Sequence, residues 1–476
     1  MFLSELLKGI EYSAKKEFDA EISSVTSDSR AVSAGCVFVC VKGLRFDGHD
    51  AAAEAVAKGA AAVVAEHDVG VENQIIVENT RSAYAIICGN FYGRPCERVK
   101  LIGVTGTNGK TTITILIKNL LRQAGKKVGL IGTIQNEIDD MSLPAKYTTP
   151  DPLELHMLFK KMADAGCEYV VMEVSSHALD QHRLDGCRFE CGIFTNLTQD
   201  HLDYHITMEN YYLAKRKLFE ISQKAVINLD DDYAVRLAGE VSCPVKTFSI
   251  KKVEADYTAH NISFDMRGSS FDIAGYGEIG RVKFRMPGEF AVSDALAAGV
   301  CALSLGVDFD TMVKGLCNSP GVPGRAEILD TDTEYTVIRD YAHSADSLEK
   351  ILSTVKSFAK ARVVVLFGCA GNRDRTKRPK MAKAASKFAD MVILTSDNPR
   401  DEDEMQIIND ALPGLDSKKP KKVIPNRYEA IKWALKNMKK DDILVLAGKG
   451  HEDYQVLDYG TIYFDESEIV KELLAK

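Results

Sequence analysis

A chain of 476 residues is more than one hydrophobic core supports, and at ~150 residues per domain it implies about three domains. Its 45% hydrophobic and 27% charged residues exclude a disordered, collagenous or fibrous chain. With 60 Lys and Arg against 68 Asp and Glu, the net charge of −8 argues against a generic nucleic-acid-coating protein, while a local basic pocket for a small anion stays open.

The opening stretch, Met1 to Ile10, has an acidic residue in its first turn and no long apolar run, so it does not read as a secretory signal. No later run approaches the ~18 uncharged apolar residues of a membrane span. Eleven cysteines without regular spacing fit reduced thiols better than a disulfide framework. Cys36/Cys40 and Cys187/Cys191 lack nearby partner ligands and read as core residues rather than zinc ligands. A soluble, cytoplasmic, monomeric protein is expected.

In chain order, residues 1–97 combine short strands such as Ala34 to Lys42 with an Ala-rich helix from Ala51 to Gly59, and the Tyr92-Gly-Arg-Pro-Cys96 stretch marks a boundary. Residues 98–320 begin with the buried-strand run Val99 to Thr105, a Gly-rich turn, and a helix to about Ala124. Further apolar strands are expected at Lys127–Gly132, Glu168–Val174, Cys191–Leu197 and Lys224–Leu229. Such alternation of strands and helices predicts an α/β domain on a parallel sheet. A second Pro/Gly break, Pro320 to Arg325, opens residues 321–476, where strands at Tyr335–Asp340, Arg362–Gly368, Met391–Asp397 and Asp442–Gly448 predict a second, Rossmann-like sheet.

The segment Gly106-Thr107-Asn108-Gly109-Lys110-Thr111-Thr112 lies between a strand and a helix start. Its glycines allow backbone N–H groups to approach phosphate oxygens, and the helix N-terminus adds positive potential. Lys110 is placed on the β- and γ-phosphates of a nucleotide and the Thr111 hydroxyl on Mg²⁺. Val104 stands where the longer phosphate-loop signature has its first glycine, so the spacing is the shorter G-x-x-G-K-T. Glu173, at the end of Tyr169-Val-Val-Met-Glu, supplies a carboxylate at a strand tip, where open α/β sheets bind ligands. The next strand ends in Asp200-His201-Leu-Asp203-Tyr-His205, a cluster able to bind metal or handle protons.

These segments together resemble the Mur ligases, ATP-dependent amino-acid ligases of peptidoglycan-precursor synthesis. The resemblance covers the whole chain in order. It runs through Thr26 to Arg30, the phosphate loop, Tyr147 to Pro150, Glu173 to His177, Asn196 to His205, Ala214 to Phe219, Gly321 to Glu327, Asp340 to His343, Asp397 to Arg400 and Ala447 to Glu452. It implies a three-domain α/β fold: a mixed UDP-substrate domain (1–97), a central phosphate-loop domain (98–320), and a Rossmann-like amino-acid domain (321–476). It also implies that ATP phosphorylates the terminal carboxylate of UDP-N-acetylmuramoyl-L-alanyl-D-glutamate, and that an amine attacks the acyl phosphate.

By the same resemblance Glu173 and His201 are metal ligands, and Lys215 is carbamylated by CO₂ into a third. Without it, Lys215 would read as a solvent-facing lysine of an amphipathic helix. Ser29, with the Leu44-Arg45-Phe46 loop nearby, is placed on the UDP moiety. Thr148, Thr149, Ser175, Gln181 and Arg183 are placed on the muramoyl-dipeptide arm, and Arg325 and Asp340 on ATP. Asp397-Asn398-Pro399-Arg400, with Arg373, Gly448 and Glu452, implies meso-diaminopimelate as the added amino acid, because an arginine fork suits the second carboxylate that lysine lacks. The alternative reading is that Arg400 caps the following helix or pairs with Asp401 or Glu402.

Two positions depart from the family pattern. Relatives carry asparagines where this chain has Ala291 and Asp294, and the second often touches adenine; an Asp there accepts hydrogen bonds but does not donate them when ionised. The rival readings are the same ligase adding L-lysine, a folylpolyglutamate-type ligase, a simple phosphate-loop ATPase or kinase, and a non-catalytic binding homologue.

Overall fold

The computed structural model describes residues 1–43 and 46–475. Its core is an eleven-stranded sheet built around the strand Lys100–Thr105, which is flanked in parallel by Tyr169–Glu173 on one side and Phe189–Phe194 on the other. Alternate residues of these strands face opposite cores, as a period of two requires. Ile102, Val104 and Val171 join Ile113, Leu116 and Leu120 of the helix Lys110–Gln123 and the apolar helix Glu289–Ser304 on one face. Leu101, Val170 and Met172 join Leu155, Phe159 and Tyr211 on the other. The helix Pro152–Asp164 on that face starts where Asp151 accepts from the amides of Leu153 and Glu154 and Pro152 fills the first helical position.

The parallel sheet expected for the central region is present. Parallel strands form its middle, but Tyr257–Asp265, Gly268–Gly275 and Glu278–Phe284 extend one edge as antiparallel hairpins, and Gln135–Ile138 and Met141–Pro144 extend the other. The turn between Gly275 and Glu278 has positive φ at both Tyr276 and Gly277, the left-handed pair that suits a two-residue hairpin.

An N-terminal five-stranded sheet spans Ser13 to Ile76 and is parallel except for its edge strand Ser13–Ala14. The C-terminal six-stranded sheet places Thr336–Asp340, Ile443–Ala447, Val363–Phe367, Met391–Leu394 and Lys421–Val423 in parallel, with Glu327–Leu329 antiparallel at the edge. A separate hairpin, Tyr454–Leu457 with Gly460–Tyr463, was not anticipated from the sequence. All eleven cysteines are free and nine are buried, in keeping with core residues. Among the described residues no helix is long and apolar enough to cross a membrane.

Candidate active site

The phosphate loop has the strand–turn–helix setting read from the sequence. Gly106 and Gly109 have φ of 147° and 89°. A Cβ at Gly106 would collide with Thr195 Oγ1, and one at Gly109 would lie 2.5 Å from Asp294 Oδ1, so neither position accepts a side chain. Lys110 Nζ folds over the loop and donates to the carbonyls of Gly106 (3.0 Å) and Thr107 (2.8 Å). Thr195 Oγ1 and Asn196 Nδ2 both donate to the Asn108 carbonyl, tying the loop to the end of the neighbouring strand.

Glu173 is buried at its strand tip, and its Oε1 accepts from Thr111 Oγ1 at 3.0 Å and from the Thr133 amide at 2.7 Å. A hydroxyl and a carboxylate are thereby placed side by side, a hard-oxygen pair suited to Mg²⁺ when phosphate oxygens and water complete the shell. Among the described residues no cluster of three or more His, Cys, Asp or Glu side chains forms a cation cage by itself.

Thr148 Oγ1 is 3.0 Å from Thr133 Oγ1, and the buried Thr149 hydroxyl donates to the Glu173 carbonyl and accepts from the Ser175 amide. Arg183 donates to the Thr149 carbonyl (2.7 Å) and to Gln181 Oε1 (2.8 Å), and among the described residues forms no ion pair with a carboxylate. Thr148, Thr149, Ser175, Gln181 and Arg183 are thus one connected group next to Glu173. Ser29 stands in the N-terminal sheet's loop, where its carbonyl accepts from Lys58 Nζ; no hydrogen bond joins it to that group. Leu44 and Arg45 lie outside the described residues, and Phe46 is exposed.

Lys215 lies on the helix Met208–Glu220 and is 1% exposed, which overturns the solvent-facing alternative. Its Nζ donates to the Gly106 carbonyl at 2.8 Å and sits 4.6 Å above the Tyr211 ring, with no carboxylate partner. Burial, reinforced by nearby Lys110, pushes its pKa well below the ordinary lysine value. His201, at a left-handed φ of 51°, contacts the His177 ring edge-on at 4.9 Å. Burial lowers its pKa to about 4 against the opposing pull of Asp200, 3.5 Å away, with His177, Lys110 and Lys215 reinforcing the burial, so the imidazole is neutral and available as a ligand or base.

Asp294 is buried against Gly109, and desolvation pushes its carboxyl up to about 7, with Lys350 and Arg325 opposing the shift. Between the ordinary carboxylate pKa and about 7 the folded state binds more protons than the unfolded chain, so stability falls as pH rises through that window. Asp294→Asn is expected to flatten this slope and raise Tm above pH 7, by at most about 4 kcal/mol of stability. Thermal unfolding of both proteins from pH 5 to 8.5 checks it; parallel curves would sink the assignment.

Three contacts bring the C-terminal sheet's segments onto this loop. Arg325 Nη2 donates to Thr111 Oγ1 at 3.2 Å and its guanidinium lies 4.5 Å from the Tyr341 ring; Asn108 Nδ2 donates to Asp346 at 3.1 Å; and Lys377 pairs with Asp200 at 2.5 Å. Asp346 and Lys377 went unnoticed in the sequence, since nothing local marks a residue that meets its partner only across two sheets. Asp340, expected on ATP, accepts the amides of Ala326 (2.6 Å) and Ala342 (2.8 Å) on its two oxygens, fixing the Arg325 turn.

At the carboxyl ends of the C-terminal strands, Arg400 has a left-handed φ of 56° and donates from Nη1 to the Gly371 carbonyl at 2.7 Å. It neither caps the next helix, which Asp403 caps, nor pairs with Asp401 or Glu402; Glu402 is held by Arg378 instead. Burial lowers the Arg400 pKa, with Arg373 reinforcing the shift and Asp397 and Glu452 opposing it. Arg373 is exposed and also without a carboxylate partner. Asn398 Nδ2 donates to Glu452 Oε2 at 2.9 Å, and a Cβ at Gly448 would meet Asp397 Oδ2 at 2.5 Å. Gly371 packs against the Pro399 carbonyl, and Pro399 and Arg400 border a cavity of about 760 Å³.

A phosphate loop and a strand-tip carboxylate, met by Arg325 from a second sheet, are the parts of a nucleotide-using enzyme. The Mur ligase family profiles match in order: the catalytic-domain profile at residues 21–91, the middle domain at 104–302, and the glutamate ligase domain at 324–450. The chain belongs to the Mur ligase family.

It is 45% identical, over 100% of its length and 99% of the relative's, to the UDP-N-acetylmuramoyl-L-alanyl-D-glutamate--2,6-diaminopimelate ligase of Clostridium perfringens. A solved structure of a ligase of that name is 34% identical, covers 95% of both chains and superposes with a TM-score of 0.70. A MurF ligase from Thermotoga maritima in complex with ADP, at 19% identity and a TM-score of 0.63 over 95% of this chain and 96% of its own, shares the fold.

Proposed function

We propose that the chain is the ligase that joins meso-diaminopimelate to UDP-N-acetylmuramoyl-L-alanyl-D-glutamate at the expense of ATP, in peptidoglycan synthesis. Residues 1–97 hold the UDP end near Ser29, residues 98–320 carry the phosphate chemistry, and residues 321–476 select the amino acid. The observation that carries this reading is that Arg373 and Arg400 act on each other electrostatically and, among the described residues, neither forms an ion pair, in a family member resembling diaminopimelate ligases along its whole length.

The loop Gly106 to Thr112 cradles the ATP phosphates, with Lys110 leaving its loop carbonyls for the phosphate oxygens and Arg325 approaching from the opposite sheet. Thr111 and Glu173 would hold Mg²⁺, which supplies charge neutralisation at the phosphates. His201 and Lys215, as its carbamate, would hold a second ion. Arg183, free of any acidic partner, receives a carboxylate of the dipeptide arm and presents its neighbour for phosphorylation; Thr148, Ser175 and Gln181 fix the arm. The diaminopimelate amine then attacks the acyl phosphate, and phosphate leaves. The contacts Arg325–Thr111, Asn108–Asp346 and Lys377–Asp200 exclude water from that intermediate.

Phosphate release with ATP, Mg²⁺ and the UDP-muramoyl-dipeptide, with meso-diaminopimelate or L-lysine, tests the reading. Release only with diaminopimelate is expected. Release without either acceptor would overturn the ligase, and a preference for lysine would overturn the assigned amino acid.

A further inference from the structure

Glu452, the carboxylate placed to receive a substrate ammonium, already has a cation of its own. Lys449 is completely buried, and its Nζ lies 2.9 Å from Glu452 Oε2 and 3.3 Å from Asn398 Oδ1. Asn398 in turn donates to the same Glu452 oxygen at 2.9 Å and accepts from the Val456 amide at 2.9 Å. The three side chains close a triangle inside the proposed amino-acid pocket. Lys449 also lies 5.5 Å from the Tyr454 ring, and among the described residues forms no other ion pair.

The charged neighbours of Arg400 are Arg373, Asp397 and Glu452. Of these groups and Lys449, three are cations (Arg373, Arg400, Lys449) and two are anions (Asp397, Glu452), a net charge of +1 for this set. The amine that attacks an acyl phosphate must be neutral. In that state meso-diaminopimelate, with two carboxylates and one remaining ammonium, carries −1, while L-lysine, with one carboxylate and one ammonium, carries zero.

Resting on the ligase reading above, we propose that Lys449 is a specificity-determining positioning residue. By occupying one oxygen of Glu452, it sets the pocket's net charge to complement a dicarboxylic diamino acid and to disfavour a monocarboxylic one. Without it, Glu452 faces the substrate as an unpaired carboxylate, and the pocket becomes neutral and receptive to an added ammonium.

Phosphate release is measured for wild type, Lys449→Gln and Lys449→Met, giving kcat/KM with each amino acid and KM for ATP. Lys449→Gln keeps an N–H donor near Glu452 but no charge, so it separates charge from hydrogen bonding. In both variants the kcat/KM ratio of L-lysine to diaminopimelate is expected to rise roughly 10- to 100-fold, with KM for ATP unchanged. An unchanged ratio in folded Lys449→Gln would overturn the proposal. Should either single variant unfold, Lys449→Met/Glu452→Gln removes both buried charges and restores +1; its ratio is expected to stay within about threefold of wild type, and a rise beyond tenfold would overturn the charge argument. A wild-type enzyme that ignores diaminopimelate refutes the ligase reading instead, so the two failures are distinct.

Discussion

Lys215→Ala is expected to lose about 10²- to 10³-fold in kcat, with little change in KM for ATP, and to regain part of that loss when a short carboxylic acid is added. The reason is the lysine's surroundings. Its Nζ is buried, donates to a backbone carbonyl and lies over the Tyr211 ring; Lys110 adds to the burial penalty on its charge, and Asp200 opposes it less strongly. An ammonium there is a buried charge without a counter-ion, so the neutral amine is favoured.

A neutral amine adds CO₂ with loss of one proton, and the resulting carbamate reverses the sign of the side chain. Its oxygens would face Lys110 and any bound cation, which stabilise the product as they destabilised the ammonium. Lys215→Met fills the buried stem without restoring a carboxylate, so equal loss in both variants separates chemistry from packing. Intact-mass measurement of the wild type in bicarbonate is expected to show an added CO₂ that Lys215→Met lacks. Full activity in unrescued Lys215→Ala would refute the role.

Arg400→Ala is expected to lower kcat/KM for meso-diaminopimelate by roughly 10²- to 10³-fold, since removing one partner of a desolvated charge pair costs ~2–5 kcal/mol. Turnover with L-lysine, which brings no second carboxylate, is expected to change far less. The guanidinium is already anchored through Nη1 to the Gly371 carbonyl, which leaves the rest of its fork for a ligand. Arg400→Lys is expected to recover little, because a point charge does not reproduce two parallel hydrogen bonds. Arg400 adopts φ of 56°, so alanine there adds backbone strain; Arg400→Gly relieves it, and similar kinetics in both would assign the loss to the side chain. Equal loss with both amino acids would place Arg400 outside the specificity pocket.

Much of the fold was legible because buried parallel strands write themselves as short apolar runs. Leu101 to Val104, Val170 to Met172 and Val363 to Phe367 carry no polar side chain, since both faces of their sheets are covered. The edge hairpins were harder to read: strands such as Glu278–Phe284 are half exposed and mix polar with apolar residues, so only the Tyr276-Gly277 turn announces them. The same distinction holds at the candidate site. The phosphate loop and Glu173 could be read because a loop between strand and helix, and a carboxylate at a strand tip, take their chemistry from local backbone geometry.

By itself the sequence determined three α/β units, the phosphate loop, the family resemblance and an arginine-bearing candidate pocket. Only the tertiary structure decided the electrostatic state of the side chains. It buried Lys215 without a counter-ion and pressed Asp294 against Gly109, paired Lys449 with Glu452, and gave both oxygens of Asp340 to backbone amides. Burial and the approach of residues distant in the chain set those properties, because desolvation and Coulomb interaction depend on separation in space and not along the sequence.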